Sequence, residues 1–386
     1  MLSTDNLYKL DKPDIIMTKK EEFKVTPYNI EGNIDYERLV KQFGTTLIPE
    51  KVRKKLEKTH PLLRRGVYFS HRDFDKWLEA HEKGKKVSVI TGRGPSEKMH
   101  IGHLVPFMVA KSLQENFNCE VFIPISDDEK FYVKENLSYE KALEYSIDNI
   151  LDLIALGFKP GKTFIFQDFV YTEIYKYAAR VAKRMTYSTA KAAFGLQPEN
   201  NVGWSFYPAM QAAHILFPQF QRGAHISVVP VGIDQDPFIR LTRDIADHPD
   251  FNFIKPAALH AKFIPALTGA AKMSSSEGSQ IFLSDSPEEV KRKINKYAFS
   301  GGRDTLEEHR KLGGNPDVDV SFQYLKMFFE PSDDKLSKIE EDYKSGKLLS
   351  GELKAILIEK INLFLKEHQA KKEQAKKNID KFLFKE

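Results

Sequence analysis

The residues of this sequence that are best suited to chemistry lie in three short segments. The first, His100-Ile-Gly-His103, places two imidazoles around a glycine between a predicted strand and a predicted helix. Imidazole N–H groups at a helix start can donate hydrogen bonds to phosphate oxygens, and the missing side chain at Gly102 lets a flat base approach the backbone. The segment indicates a nucleotide site, although either histidine alone is more often satisfied by local backbone.

The second segment, Lys272-Met-Ser-Ser-Ser276, lies in a polar loop before a predicted strand at Gln280–Leu283. A lysine followed by three hydroxyl residues can neutralise and hydrogen-bond a triphosphate, and such a loop can close over its ligand. Taken alone, the segment could be a serine-rich linker. The two segments together favour a nucleoside triphosphate as the ligand.

The third segment, Gly232-Ile-Asp-Gln235, ends an apolar strand. A carboxylate and an amide at the carboxyl edge of a sheet can bind ribose hydroxyls and an amino group, but Asp234 could equally be a helix cap. A further loop, Thr91-Gly-Arg-Gly-Pro-Ser96, lacks the third glycine of a dinucleotide fingerprint and the Gly-Lys-Ser/Thr of a P-loop. Neither of those nucleotide-binding families fits.

The elements that must position these segments alternate between strand and helix. Strands are predicted at Lys86–Ile90, Cys119–Ser126, Lys162–Gln167 and His225–Asp234, with helices at Leu104–Phe117 and from Ser138 to Gly157. This order predicts an α/β fold with a Rossmann-like parallel sheet, whose ligands lie at the carboxyl ends of its strands. A mostly helical insertion at about 171–221 interrupts the alternation.

Three domains are predicted from these patterns. Residues 1–80 form a leader and an N-terminal helical layer, with a break between helices at Phe69–His71. Residues 81–285 form the Rossmann-like catalytic domain. Residues 286–386 form a C-terminal α-helical domain, because Ser286-Pro-Glu-Glu289 is a capping box that opens a helix and no strand pattern follows it.

Composition limits the class of protein. The chain has 386 residues, of which 41% are hydrophobic, so it can bury a sizeable core. A net charge of +5 permits an anionic partner without requiring one. The single cysteine, Cys119, excludes an internal disulfide and a zinc or iron–sulfur site built from several thiolates, which favours a reducing compartment. No apolar stretch is long enough to span a membrane, so a cytoplasmic location is expected.

The three segments together resemble a class I aminoacyl-tRNA synthetase, with HIGH at 100–103, a KMSSS version of the KMSKS loop at 272–276 and GxDQ at 232–235. The sequence around and between these motifs narrows the resemblance to the tryptophanyl-tRNA synthetases of archaea and of the eukaryotic cytosol. The segments that carry this narrower resemblance are TGRGPS, DDEK at 127–130, YPAMQAA at 207–213, IDQDPFIRLTRD and AFSGGRDTLEEHR.

The resemblance implies that ATP, with Mg2+, activates tryptophan. The amino acid's carboxylate attacks the α-phosphate, pyrophosphate leaves, and the adenylate is transferred to a ribose hydroxyl at the 3′ end of tRNA(Trp). Such a reaction needs positioning and charge stabilisation more than proton transfer. The catalytic residues by resemblance are His100, His103 and Lys272. The ATP-binding residues by resemblance are Arg93, Gly94, Gly102, Lys130, Gly232, Asp234, Met273, Ser274, Ser275 and Ser276.

Two departures from the family pattern concern charge and ring recognition. Ser275 stands where the KMSKS loop has its second lysine, so we expect Arg93 or Lys130 to supply the missing positive charge. Ile90 and Pro124 stand where eukaryotic relatives have a tyrosine and a glutamine aimed at the indole nitrogen. The indole N–H must therefore find another acceptor, or specificity rests on shape alone.

The remaining expectations also follow from the resemblance. Glu129, Gln211 and Gln235 are expected to contact the amino and ring ends of the amino acid, although Gln211 could be a satisfied core amide. Arg303 and Asp304 match the motif that reads anticodon bases, which makes residues 286–386 an anticodon-binding domain. The insertion is expected to help form a homodimer interface. No protein-held metal site is expected.

Three alternatives stay open at this point. A tyrosyl-tRNA synthetase shares the fold and GxDQ, although TGRGPS and SGGRDT argue against it. A small-molecule nucleotidyltransferase also uses HxGH beside a parallel sheet, but it would not need about 100 residues of helical domain after the KMSSS loop. A non-catalytic tRNA-binding paralogue would be expected to lose His100, His103 or Lys272, and this chain keeps all three.

Overall fold

A computed structural model describes residues 24–25, 30–31, 35–270 and 278–385. The predicted triphosphate loop, Lys272-Met-Ser-Ser-Ser276, lies outside the described residues, as does most of the leader. The strands are β1 Lys24–Val25, β2 Ile30–Glu31, β3 Thr46–Leu47, β4 Tyr68–Arg72, β5 Val87–Ile90, β6 Glu120–Ile125, β7 Thr163–Gln167, β8 Ile226–Gly232 and β9 Ala257–Ala261.

The helices of the described part divide among the N-terminal layer, the crossovers, the insertion and the C-terminal region. They are α1 Tyr36–Phe43, α2 Glu50–Lys55, α3 Pro61–Arg64, α4 Phe74–Glu82, α5 Val105–Phe117, α6 Asp127–Val133, α7 Tyr139–Ala155, α8 Glu173–Ala182, α9 Tyr187–Phe194, α10 Val202–Arg222, α11 Asp236–Ala246, α12 Pro287–Tyr297, α13 Leu306–Leu312, α14 Val320–Tyr324, α15 Asp333–Lys344 and α16 Ser350–Ala375. None of the described helices is long and apolar enough to cross a membrane.

A seven-stranded sheet organises the molecule in the order β3-β4-β9-β8-β5-β6-β7. The five strands from β9 to β7 run parallel, whereas β3 and β4 are antiparallel additions at one edge. The predicted α/β class and parallel sheet are confirmed. The predicted strands hold to within about two residues because they are continuous buried runs flanked by turns.

The core lies on both faces of this sheet, since successive strand residues point to opposite sides. Val121 and Ile123 of β6 join a large core that includes α5 and the C-terminal helices. Phe122, between them, joins a second core formed with α8, α10 and α11. The helical insertion therefore covers one face of the sheet and forms part of the wall above the carboxyl ends of the strands.

Phe69–His71 separates two helices as predicted, but these residues lie within β4, a strand that the sequence pattern did not predict. The helices of the N-terminal layer are present on either side of the strand, as α1 to α3 and α4. Polar residues interrupt the apolar run here, so the sequence pattern does not indicate a buried strand. Ser70 Oγ lies 3.3 Å from His260 Nδ1, and Arg72 Nε donates to Asp236 Oδ1 at 2.6 Å. These partners are distant in sequence and satisfy side chains that would otherwise argue against a buried strand.

The predicted strand at Gln280–Leu283 was wrong, since only an isolated β-bridge between His100 and Phe282 forms there. Two backbone hydrogen bonds flank this bridge. Ile101 N donates to Ile281 O at 3.0 Å, and Leu283 N donates to Met99 O at 2.9 Å. The chain that follows the KMSSS loop is thus joined directly to the HIGH segment.

The end of the chain returns to the sheet. Ile165 N of β7 donates to Phe382 O at 2.8 Å, and Phe384 N donates to Ile165 O at 2.7 Å. The Phe384 ring lies 5.2 Å from the rings of Tyr171 and Phe217. The C-terminal helical region is therefore anchored at the β7 edge as well as along α16.

Candidate active site

A cavity of about 390 Å³ opens at the carboxyl ends of the parallel strands. Its walls come from the loop after β5, the first turn of α6, one face of α10 and the end of β8. Seven of the predicted binding residues line it: Arg93, Gly94, Glu129, Lys130, Gln211, Gly232 and Gln235. Their roles stay predictions, but the fold brings them to one place.

The TGRGPS loop is held against the end of β6 by backbone hydrogen bonds. Arg93 N donates to Pro124 O at 3.0 Å, and Ser126 N donates to Arg93 O at 2.9 Å. The Thr91 hydroxyl donates to Pro230 O on β8 at 3.3 Å. The loop is thereby tied to both neighbours of β5, which fixes the direction in which Arg93 and Gly94 face the cavity.

The Arg93 guanidinium is only partly satisfied. Its Nε donates to Asn149 Oδ1 on α7 at 3.3 Å, while its Nη2 is buried and has no hydrogen-bond partner among the described residues. Burial lowers the pKa of Arg93 to about 10, so the group stays charged at neutral pH. A buried cation with a spare donor is suited to an anionic ligand.

Glu129 and Lys130 form an ion pair at the first turn of α6, with Nζ 2.6 Å from Oε1. Gly94 faces this pair so closely that a Cβ there would run into the Glu129 carboxylate. Only glycine leaves room for the two side chains beside the loop. The arrangement offers a carboxylate for an ammonium group and a lysine for a phosphate.

His100 and His103 stack with ring centroids 3.5 Å apart, and His103 Nδ1 accepts from the His100 backbone N–H at 3.2 Å. Gly102 lies between them in the 3₁₀ turn Ile101–Leu104. Burial, and then the charge of Arg93, lower the pKa of His100 to about 3 and that of His103 well below its usual range. Both rings are therefore neutral at pH 7, each with one N–H to donate.

The end of β8 supplies Gly232, Asp234 and Gln235. Asp234 is buried at 3% exposure, and its Oδ2 accepts from Gln235 Nε2 at 3.2 Å. A Cβ at Gly232 would clash with Asp234 Oδ1. Asp234 does not cap α11 with its side chain, so the alternative of a mere helix cap loses its support.

The chain matches the family described as tRNA synthetases class I (W and Y) over residues 82–366. It belongs to this family. The tryptophan–tRNA ligase of Sulfurisphaera tokodaii is 50% identical over 372 residues, covering 94% of this chain and 96% of the relative. That of Pyrococcus furiosus is 47% identical, covering 95% of each. Among solved structures, tryptophanyl-tRNA synthetase from Giardia lamblia superimposes with a TM-score of 0.83 at 39% identity, covering 91% of this chain and 96% of that one.

The predicted anticodon residues of this class I synthetase lie outside the cavity. Arg303 and Asp304 are exposed in the loop between α12 and α13. Arg303 Nε donates to Gly313 O at 3.0 Å, which holds the loop to the end of α13. The two residues are thus exposed on the helical C-terminal region and do not line the cavity.

A buried polar group beside the synthetase cavity was not predicted from the sequence. His214 lines the cavity from α10, and its Nε2 lies 2.8 Å from Asp168 Oδ1. Burial raises the pKa of Asp128 to about 9 and that of Asp168 well above its usual range. Asn149, which holds Arg93, was missed as well. A polar residue on the apolar face of a predicted helix is the signal that could have found Asn149 and His214.

Proposed function

We propose that this class I synthetase is a tryptophan–tRNA ligase. It activates tryptophan with ATP to tryptophanyl-adenylate and pyrophosphate, and transfers the tryptophanyl group to the 3′ end of tRNA(Trp). The observation that carries the proposal is the cavity that gathers Arg93, Lys130, Glu129, Gln211 and Gln235 at the carboxyl ends of the parallel strands. The high identity to curated tryptophan–tRNA ligases along nearly the whole chain supports the choice of amino acid.

In this proposal the adenylyl transfer is in line. The tryptophan carboxylate attacks the α-phosphorus, the bond to the bridging oxygen breaks, and pyrophosphate departs with both electrons. Neutral His100 and His103 donate hydrogen bonds to phosphate oxygens, and the Arg93 cation stabilises negative charge that develops between the phosphates. We assign Lys272, Met273 and Ser274 to Ser276 to the same triphosphate, and Gly102 and Gly232 to the close approach of the nucleoside.

Polar groups of α6, α10 and the end of β8 bind the tryptophan substrate in this proposal. In this proposal, Glu129 binds the tryptophan ammonium group, with Gln211 and Gln235 as further polar contacts, and Asp234 positions Gln235 for ATP and amino acid together. The Gln211 Oε1 atom is buried and has no partner among the described residues, so it is available as an acceptor. A satisfied core amide would not leave this acceptor open.

Mg2+ enters with ATP as part of the substrate. Among the described residues, the one cluster of three metal-ligating side chains is Glu97, His100 and His103, whose ligand atoms lie within 4.8 Å of one another. Two imidazoles suit a transition metal better than Mg2+, which prefers oxygen ligands and commonly binds through substrate phosphates. These side chains do not fit a resident Mg2+, and no step is assigned to a metal held by the protein.

Pyrophosphate exchange tests the proposal. The purified enzyme should exchange pyrophosphate into ATP with tryptophan, and should charge tRNA(Trp) made by transcription. Tyrosine and phenylalanine, each supplied alone, discriminate the nearest alternative. Exchange with tyrosine and none with tryptophan would make the chain a tyrosyl-tRNA synthetase, while exchange with none of the three would overturn the ligase assignment.

The insertion is proposed to form part of a homodimer interface. Val202 is 84% exposed and Tyr187 is 58% exposed on this segment, and apolar side chains so exposed favour a protein partner. Analytical ultracentrifugation of the wild type and of Val202→Lys tests this, and an unchanged dimer in the variant would argue against this surface. A cytoplasmic location, where tRNA is charged, stays a prediction.

A further inference from the structure

A tryptophan side chain buried in the cavity needs an acceptor for its indole N–H, because an unpaired buried donor is costly. Ile90 and Pro124 line the cavity at the ends of β5 and β6 and offer no polar side-chain atom. Among the polar side chains of the wall, the Gln211 Oε1 atom has no partner among the described residues and is the rival acceptor. Glu129 pairs with Lys130, and the Gln235 amide donates to Asp234.

His214 is the cavity residue whose chemistry fits this need. It lies on the same face of α10 as Gln211, one turn further along, and it is 4% exposed. Its Nε2 is 2.8 Å from Asp168 Oδ1, and the Phe166 ring lies 6.0 Å from its own. The imidazole is therefore fixed between β7 and the cavity, with one nitrogen committed to a carboxyl group.

The neighbouring acids determine which nitrogen carries the proton. The hydrogen bond between Asp128 and Asp168 needs one proton between the two carboxyl groups, and burial raises the pKa of Asp128 to about 9, so this proton is assigned to Asp128. Asp168 Oδ1, 2.8 Å from His214 Nε2, is then the acceptor for the imidazole. Burial lowers the pKa of His214 to about 4, so the ring is neutral and has a single N–H. In this assignment that N–H lies on Nε2 and donates to Asp168, which leaves Nδ1 as a lone-pair acceptor.

We propose that His214 Nδ1 accepts the indole N–H of tryptophan, and that Asp168 acts as a positioning residue by holding the imidazole in the required tautomer. The inference rests on the proposed function and names the residue that recognises the indole N–H of the substrate. It makes the enzyme's choice of amino acid depend on a hydrogen bond as well as on the shape of an apolar slot.

The test compares tryptophan with its benzothiophene analogue, β-(3-benzothienyl)alanine, in which sulfur replaces the indole N–H. The readout is the ratio of kcat/KM values for the two substrates in pyrophosphate exchange, measured on one enzyme preparation, so a partly folded variant still reports correctly. We expect the wild type to prefer tryptophan by about tenfold or more. His214→Gln keeps a donor toward Asp168 but removes the Nδ1 acceptor, and should bring the ratio close to one.

His214→Asn is the matched variant, since its Oδ1 occupies nearly the place of Nδ1, and it should retain part of the preference. Gln211→Leu tests the rival acceptor. A ratio that is unchanged in His214→Gln, or that collapses in Gln211→Leu and not in His214→Gln, overturns the assignment. If the wild type activates both substrates equally, the His214 assignment alone fails. If it activates neither, the proposed function fails with it.

Discussion

The Nε2 atom of His368 on α16 lies 2.9 Å from the Oδ1 atom of Asp152 on α7, and both side chains are at most 2% exposed. Lys372, one turn further along α16, reaches Asp152 Oδ2 at 2.9 Å and Asp148 Oδ1 at 2.8 Å. Because α7 also carries Asn149, the partner of Arg93, this buried cluster connects the C-terminal helix to an element that supports the site.

Replacing Asp152 with alanine should destabilise the fold by about 3 kcal/mol, because it leaves the buried His368 without its partner and Lys372 with Asp148 alone. Asp148→Ala is the matched control. The Asp148 carboxylate is 32% exposed, and its loss should cost at most about 1 kcal/mol. Urea unfolding followed by far-UV circular dichroism measures both. Equal unfolding midpoints for the two variants would contradict the importance of the buried cluster.

Arg93→Ala should slow tryptophan-dependent pyrophosphate exchange by about tenfold or more, the scale of one lost charged contact in the transition state. Lys130→Ala is the comparison, because its ammonium group is already paired with Glu129. The effect of Arg93→Ala should fall mainly on kcat rather than on the KM for tryptophan. Normal exchange by Arg93→Ala would refute its role and leave Lys130 as the source of the missing charge.

The neutral state of His100 should be visible across the physiological pH range. In the unfolded chain its pKa is near 6.5, whereas burial and Arg93 lower the folded value to about 3. Between these values the unfolded state binds more protons, so this histidine lowers the stability of the fold as the pH falls from about 6.5 toward 3. We expect its ring ¹³C resonances to stay at the neutral position from pH 8 to pH 5, with free histidine as the reference. A titration step in that interval would show that the His100 imidazole becomes protonated and would contradict this prediction.

Asp304→Ala should impair tRNA charging without changing pyrophosphate exchange, because the residue is exposed on the helical region and does not line the cavity. Loss of a base contact is expected to raise the KM for tRNA by about tenfold. Arg292→Ala, an exposed change on α12 that removes a contact to Glu289, serves as the control and should leave both reactions intact. Slower exchange in Asp304→Ala would contradict the separation of the two sites.

The fold was predictable where burial alone decides structure. The strands at 87–90, 120–125, 163–167 and 226–232 are continuous apolar runs, and their alternation with helices admits few topologies. Strand β4 was missed because Ser70, His71 and Arg72 interrupt the apolar pattern, and the partners of Ser70 and Arg72 lie 190 and 164 residues away. The contacts of Phe382 and Phe384 with β7 were missed because their partner, Ile165, is also distant in sequence.

The sequence by itself determined the family and the α/β class and predicted the nucleotide-binding segments, since motifs and the alternation of strands and helices are local properties of the chain. Only the tertiary structure decided that α10 places His214 beside the cavity, that Asp168 and Asp128 lie behind it, and that Asn149 holds Arg93. The protonation state and available donors of a side chain depend on its burial and on charges that are distant in sequence, and these are fixed only when the elements pack together.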